Sequence, residues 1–298
     1  MVKNMTLAAL RDGDQLSLGV KTERGILNVR KAATALGAKA PVTIDEVLAG
    51  EGDAAALPEL VKKALAVDNP ALFVEEKKAP FGPCVPHPGK IICVGLNYRK
   101  HAAETGNPIP AVPILFSKFN NALAAHGGKV NVSRGPAEKL DYEVELVIVI
   151  GKPARDVAEA DALSHVFGYC VGNDLSARDL QMKTSQWLLG KTCDGFAPIG
   201  PYLVTADLIP DPNNLNVECR VNGEVRQSSN TNDMIFSCAH LVSYISRHIP
   251  LSPGDIVFTG TPQGVILGRP KDKQVWLKPG DRVETAIEKL GTQEITID

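Results

Sequence analysis

Between Leu140 and Ile150 the chain reads Leu-Asp-Tyr-Glu-Val-Glu-Leu-Val-Ile-Val-Ile, an aliphatic and β-branched run with nothing to break it before Gly151. That composition predicts a strand. Side chains alternate along a strand, so Glu143, Glu145, Val147 and Val149 share one face. The two carboxylates then stand about 7 Å apart at Cα, two strand rises, on a face that turns apolar further along. Like charges held so close on a partly buried face repel and lose hydration unless a cation or protons compensate. A divalent metal ion is the simplest compensation. Taken alone, the pair also fits the solvated end of a strand whose other end enters a core.

With 298 residues, 44% of them hydrophobic and 22% charged, the chain can build one large domain, or a small domain beside a larger one. The formal net charge is -2, without a basic block or an acidic tail, so neither nucleic acid nor an anionic membrane surface is an expected partner. The longest purely aliphatic stretch, Leu146 to Ile150, is too short to span a bilayer. At the N-terminus, Thr6-Leu7-Ala8-Ala9-Leu10 meets Arg11-Asp12 too soon for a secretory signal, and the expected compartment is cytoplasmic. Cys84, Cys93, Cys170, Cys193, Cys219 and Cys238 are scattered without a Cys-x-x-Cys pair, the pattern of free thiols. The six histidines are equally dispersed, and nothing resembles a zinc site.

Punctuation along the chain predicts three parts. Residues 1–72 mix short apolar runs with helical patches, one of them capped by Thr43, acidic in its first turn and stopped by Gly50, another over Leu60 to Ala66. Residues 73–89 carry Pro80, Pro83, Pro86 and Pro88 and read as an extended connector. Residues 90–298 are strand-rich. Strands are expected at Ile91 to Gly95, Val166 to Val171, Ile256 to Phe258 and Val283 to Thr285, with helices at Tyr98 to Glu104 and Asp156 to His165. Asn222-Gly223 marks a tight hairpin, and Pro253-Gly254 and Pro279-Gly280 mark turns. Without βαβ alternation, the fold class is a sheet-dominated α+β domain.

Asp174 closes the strand after Val166, where a carboxylate can approach a cation already held by two others. Three oxygen donors suit Mg²⁺, Mn²⁺ or Ca²⁺ and leave positions for water and substrate. Asp174 alone equally suits the cap of a following helical turn. The blocks Glu143-Val144-Glu145, Asn173-Asp174-Leu175-Ser176-Ala177-Arg178-Asp179, Gly95-Leu96-Asn97-Tyr98-Arg99-Lys100-His101, Leu115-Phe116-Ser117-Lys118, Gly190-Lys191-Thr192-Cys193-Asp194 and Thr259-Gly260-Thr261-Pro262-Gln263-Gly264-Val265 resemble, in order, those of the fumarylacetoacetate hydrolase superfamily. The resemblance runs from about Lys90 to the C-terminus.

It implies a mixed β-sandwich roll with a small N-terminal α+β domain, a homodimer, and Glu143, Glu145 and Asp174 as ligands of a divalent metal. It puts the catalytic lysine at Lys191, where a fixed positive charge can favour a developing enolate. It also implies that His101 and Glu104, three apart on one helix face, form a general base on a lid; an exposed ion pair is the alternative. Gly260 and Thr261 suit a carboxylate or oxyanion through backbone N–H groups and a hydroxyl, and Lys118 and Arg178 are candidate partners for a substrate carboxylate. Two departures from the family pattern are Phe119, where proline is common, and Cys193 two residues from Lys191. The expected activity is metal-dependent hydrolysis of a C–C bond in an acylpyruvate-type 2-oxo acid. The alternatives are decarboxylation of oxaloacetate or isomerisation of a 2-oxo diacid on the same site, and, from another class, a non-catalytic metal-binding oligomer.

Overall fold

Main-chain pairing runs through the molecule in two sheets, in a computed structural model that describes residues 1–298 except Asp14, Gly52, Ala54 and residues 133–136. The larger sheet has ten strands and the smaller five, with two-stranded pieces beside them. Among the described residues helices are few and short, the longest being Ala56–Ala66 and Cys238–His248. The fold is a sheet-dominated α+β structure. Among the described residues no helix is long and apolar enough to cross a membrane.

Val144–Ile150 and Val166–Asn173 lie side by side, antiparallel, in the middle of the large sheet, and every residue of both is buried. That is what a near-continuous aliphatic run requires, since both of its faces must leave water. Val147 to Val149 also pair with Ile256–Phe258, which in turn runs parallel to Ile91–Gly95. The N-terminal strands join the same sheet. Thr6–Asp12 pairs with Leu203–Thr205, and the division expected after residue 72 falls just before Phe73–Val74, an edge strand of that sheet.

The expected unbroken strand from Leu140 to Ile150 is instead two strands. Leu140–Asp141 pairs with Ser176–Ala177, the chain leaves the ladder at Tyr142 and Glu143, and Val144–Ile150 enters the large sheet. Side chains replace the missing ladder bonds: Asp141 Oδ1 accepts the Tyr142 N–H and Asn173 Oδ1 accepts the Glu143 N–H, both at 3.0 Å. The helix expected from Asp156 is also shorter, Glu159–Ala162 followed by a 3-10 turn, because Asp156 has a φ of 51° that no right-handed helix admits. Two other local signals hold. Thr43 and Gly50 cap Ile44–Ala49, and Asn222 and Gly223, with φ of 52° and 83°, turn the hairpin between Asn216–Val221 and Glu224–Asn230.

Candidate metal centre and active site

Where the two central strands end, three carboxylates converge. Glu143, Glu145 and Asp174 are buried, and each offers an oxygen within 4.8 Å of the others'. The Asp174 N–H donates to the Glu143 carbonyl at 2.8 Å, which locks the two strand ends together. The solvated-strand-end and capping alternatives are thereby removed.

Four buried carboxylates, these three and Asp141, meet three buried cations, Lys118, Arg178 and Lys191. Lys191 Nζ donates to Glu143 Oε2 at 2.7 Å and to Asp174 Oδ2 at 2.9 Å. Arg178 donates to Glu143 Oε1 at 2.6 Å, to Asp141 Oδ2 at 2.9 Å and to Gln181 at 2.9 Å. Lys118 gives hydrogen bonds to the carbonyls of Leu175, Lys191 and Phe196 and lies 2.6 Å from Asp174 Oδ1. With the lysine's three N–H groups spent on carbonyls, Asp174 Oδ1 is a buried acceptor with no hydrogen bond. One negative charge is thus left over, and it shows at Glu145, which has the Gly260 N–H at 2.7 Å. Burial, with Asp174 and Glu143 beside it, pushes the Glu145 carboxyl well above the usual range. Burial also works to raise Glu143, but Lys191 and Arg178 overcome it and hold that carboxyl well below its ordinary value. A small site of all-oxygen donors, one of them with an ion pair but no hydrogen bond and one short of positive charge, fits a hard divalent cation.

The triad opens on a cavity of about 740 Å³ also lined by His101, Glu104, Lys191, Arg178 and Thr261. His101 and Glu104 lie on the helix Arg99–Glu104, and His101 Nδ1 is 2.8 Å from Glu104 Oε1. The imidazole is only 8% exposed, so this is not a solvated surface pair. Glu104 Oε2 accepts the Gly264 N–H at 2.9 Å.

Four expected substrate contacts are corrected. Lys118 is fully buried behind Asp174 and does not reach the cavity. Arg178 lines it, but its guanidinium is committed to Asp141, Glu143 and Gln181. The Gly260 N–H is spent on Glu145, and Gly260 is not among the lining residues. The Thr261 hydroxyl donates to the Val144 carbonyl at 3.0 Å and accepts from Gln227 at 2.9 Å. The glycine loop thus buttresses the site: Gly260 holds a triad carboxylate and Gly264 holds the dyad. Cys193 lies outside the cavity, and burial raises its thiol pKa, the opposite of an activated thiolate.

The sequence reading missed Asp141, Asn173 and Gln227, which bind main-chain groups under the site. Asp141 had a signal, standing two residues before Glu143 as Glu143 stands two before Glu145. Gln227 had none.

Residues 90–298 match the family described as fumarylacetoacetate (FAA) hydrolase, C-terminal. The chain belongs to the fumarylacetoacetate hydrolase family. Human oxaloacetate tautomerase FAHD2A, mitochondrial, is 41% identical over 281 residues, spanning 94% of this chain and 86% of that one. The solved structure of fumarylacetoacetate hydrolase from Exiguobacterium antarcticum aligns with a TM-score of 0.77 at 30% identity over 99% of both chains. Fumarylpyruvate hydrolase from Pseudomonas aeruginosa, solved with Mn²⁺ and pyruvate, aligns with a TM-score of 0.64 at 36% identity over 73% of this chain and 91% of that one. Family enzymes bind divalent metals, as that structure illustrates. The cytoplasmic expectation is corrected by the human relative, a mitochondrial protein by name. That expectation rested on lacking a secretory signal, and mitochondrial addressing is not written in apolar runs.

Proposed function

We propose that this chain is a divalent-metal-dependent tautomerase of a 2-oxo diacid of the oxaloacetate class, with Mg²⁺ or Mn²⁺ as its cofactor. The observation that carries the reading is one cavity shared by a buried carboxylate triad and a buried, oriented imidazole. Relatives named oxaloacetate tautomerase favour proton transfer over the expected acylpyruvate hydrolysis.

Glu143, Glu145 and Asp174 would hold the cation, which would supply Lewis acidity toward the substrate's oxygens. His101 carries the proton. Glu104 engages Nδ1, leaving Nε2 to take a proton from C3; the C–H electron pair becomes the C2–C3 double bond, and a proton taken up at the 2-oxo oxygen completes the enol. Lys191, with two of its three N–H groups on Glu143 and Asp174, sets a fixed positive charge beside the oxygen where charge grows. No water attacks and no bond between carbons breaks. C–C hydrolysis is the second reading, favoured by the 36% identity to the fumarylpyruvate hydrolase.

Homodimerisation belongs to the same proposal. Phe119, Met182 and Leu189, all more than half exposed, are the apolar side chains we assign to contact with a second copy. Light scattering on the purified chain reads that state.

The test follows loss of the enol absorbance of oxaloacetate. Metal-loaded protein accelerates it, chelator and Glu143→Gln abolish the acceleration, and His101→Ala lowers kcat by about 10²–10⁴. A rate equal to buffer with metal-loaded wild type defeats the reading, and release of pyruvate from an acylpyruvate instead supports the second.

A further inference from the structure

Basic side chains line the cavity at five places, and three of them are committed: His101 to Glu104, Arg178 to Asp141 and Glu143, and Lys191 to Glu143 and Asp174. The other two, Arg269 and Lys271, have no side-chain hydrogen bond or ion pair among the described residues. Lys271 is exposed, whereas Arg269 is half-buried on the wall.

The backbone that carries Arg269 is pinned on every side. Its N–H donates to the Ile266 carbonyl at 3.1 Å, and its own carbonyl accepts from the Gln274 amide at 2.9 Å. That amide also donates to the Leu267 carbonyl, and Asp141 takes the N–H groups of Ile266 and Leu267. A guanidinium carried by an anchored backbone on the cavity wall, with no partner among the described residues, is available to fork onto a carboxylate. Its position along the chain says which one. Gly268 precedes it and touches the Glu104 carboxylate so closely that a Cβ there would come 2.7 Å from Cδ. Arg269 therefore flanks the dyad, and the group bonded to the carbon the dyad works on is, in a 2-oxo diacid of the oxaloacetate class, the second carboxylate.

We propose that Arg269 is the specificity residue that reads the second carboxylate of the substrate and separates 2-oxo diacids from 2-oxo monoacids; the diacid itself rests on the function proposed above. Binding at Arg269 also offsets the negative charge next to C3, which otherwise resists removal of its proton.

The test uses metal-loaded protein and two unreactive 2-hydroxy acids of matched shape, malate and 2-hydroxybutyrate, which differ in that carboxylate alone. In wild type malate binds about tenfold or more tightly than 2-hydroxybutyrate by calorimetry. Arg269→Gln brings the ratio near one and leaves the 2-hydroxybutyrate and Mg²⁺ affinities and the melting temperature unchanged, while Arg269→Lys restores part of the ratio. A wild-type ratio near one, or an Arg269→Gln variant that loses both affinities equally or neither, overturns the assignment. Absence of oxaloacetate tautomerisation in wild type counts against the proposed function instead, and the malate ratio still judges Arg269.

Discussion

Replacing Lys191 by methionine removes a charge from the site while keeping most of the side chain's bulk, which makes it a direct test of the charge balance. Lys191 Nζ stands 2.7 Å from Glu143 and 2.9 Å from Asp174, with the side chain 2% exposed. Two unit charges at such distances attract by about 6 kcal/mol each at an effective dielectric near 20. Much of that gross attraction offsets the desolvation of the ammonium, and breaking a buried pair leaves a net loss of about 3–5 kcal/mol. For 298 residues the unfolding entropy is about 0.6 kcal/mol per kelvin, so the metal-free variant should melt about 5–8 °C below wild type. A divalent cation should then raise the melting temperature of Lys191→Met by more than that of wild type, because it meets carboxylates that have lost a competitor. The pH dependence has a definite sign. Burial raises Glu143, but Lys191 and Arg178 take it from 4.5 down to about 2, so its stabilising share is present above pH 4.5 and fades as pH falls toward 2. The gap between wild type and variant should therefore narrow on acidification through that window. Scanning calorimetry with and without Mg²⁺ between pH 3 and 8 measures all three effects. Equal melting temperatures at neutral pH without metal, or a gap that widens in acid, would refute the account.

Two further substitutions probe glycines that hold the site together. A Cβ at Gly190 would lie 2.5 Å from the Gln181 backbone nitrogen and 2.6 Å from the Ala177 carbonyl oxygen, so Gly190→Ala should cost about 1–3 kcal/mol by denaturant titration and displace the adjacent Lys191, lowering kcat/KM. Gly268→Ala meets the far end of a side chain, Glu104 Cδ at 2.7 Å and Oε2 at 2.9 Å. It should leave stability within about 1 kcal/mol while pushing Glu104 off His101, lowering kcat about tenfold and moving its pH profile; unchanged kcat would remove Glu104 from the mechanism.

Local rules were legible wherever one segment satisfies itself. The Pro-Gly turns close as their residues suggest, Asp255 and Asp281 each accepting the N–H three residues back, from Ser252 at 2.6 Å and Lys278 at 2.9 Å. The triad was legible for a related reason: two acids alternate inside an apolar run and a third ends the next strand. The break at Tyr142 was not, because the groups that replace the ladder bonds include Asn173, 30 positions away. Asp141 offered a pattern but not its partners, the N–H groups of Ile266 and Leu267, more than a hundred positions on. Thr261 and Arg178 have the right chemistry for holding a substrate, yet Val144, Gln227, Asp141 and Glu143 had claimed them first.

The order of residues pointed to side chains with metal and proton chemistry to offer, since carboxylates placed in an aliphatic strand call for compensation wherever that strand lies. Folding decided which of those groups stay available. Most buried N–H groups, carbonyls and charges find a partner, so distant segments competed for the same donors, while Arg269 on the cavity wall has no carboxylate paired with it among the described residues.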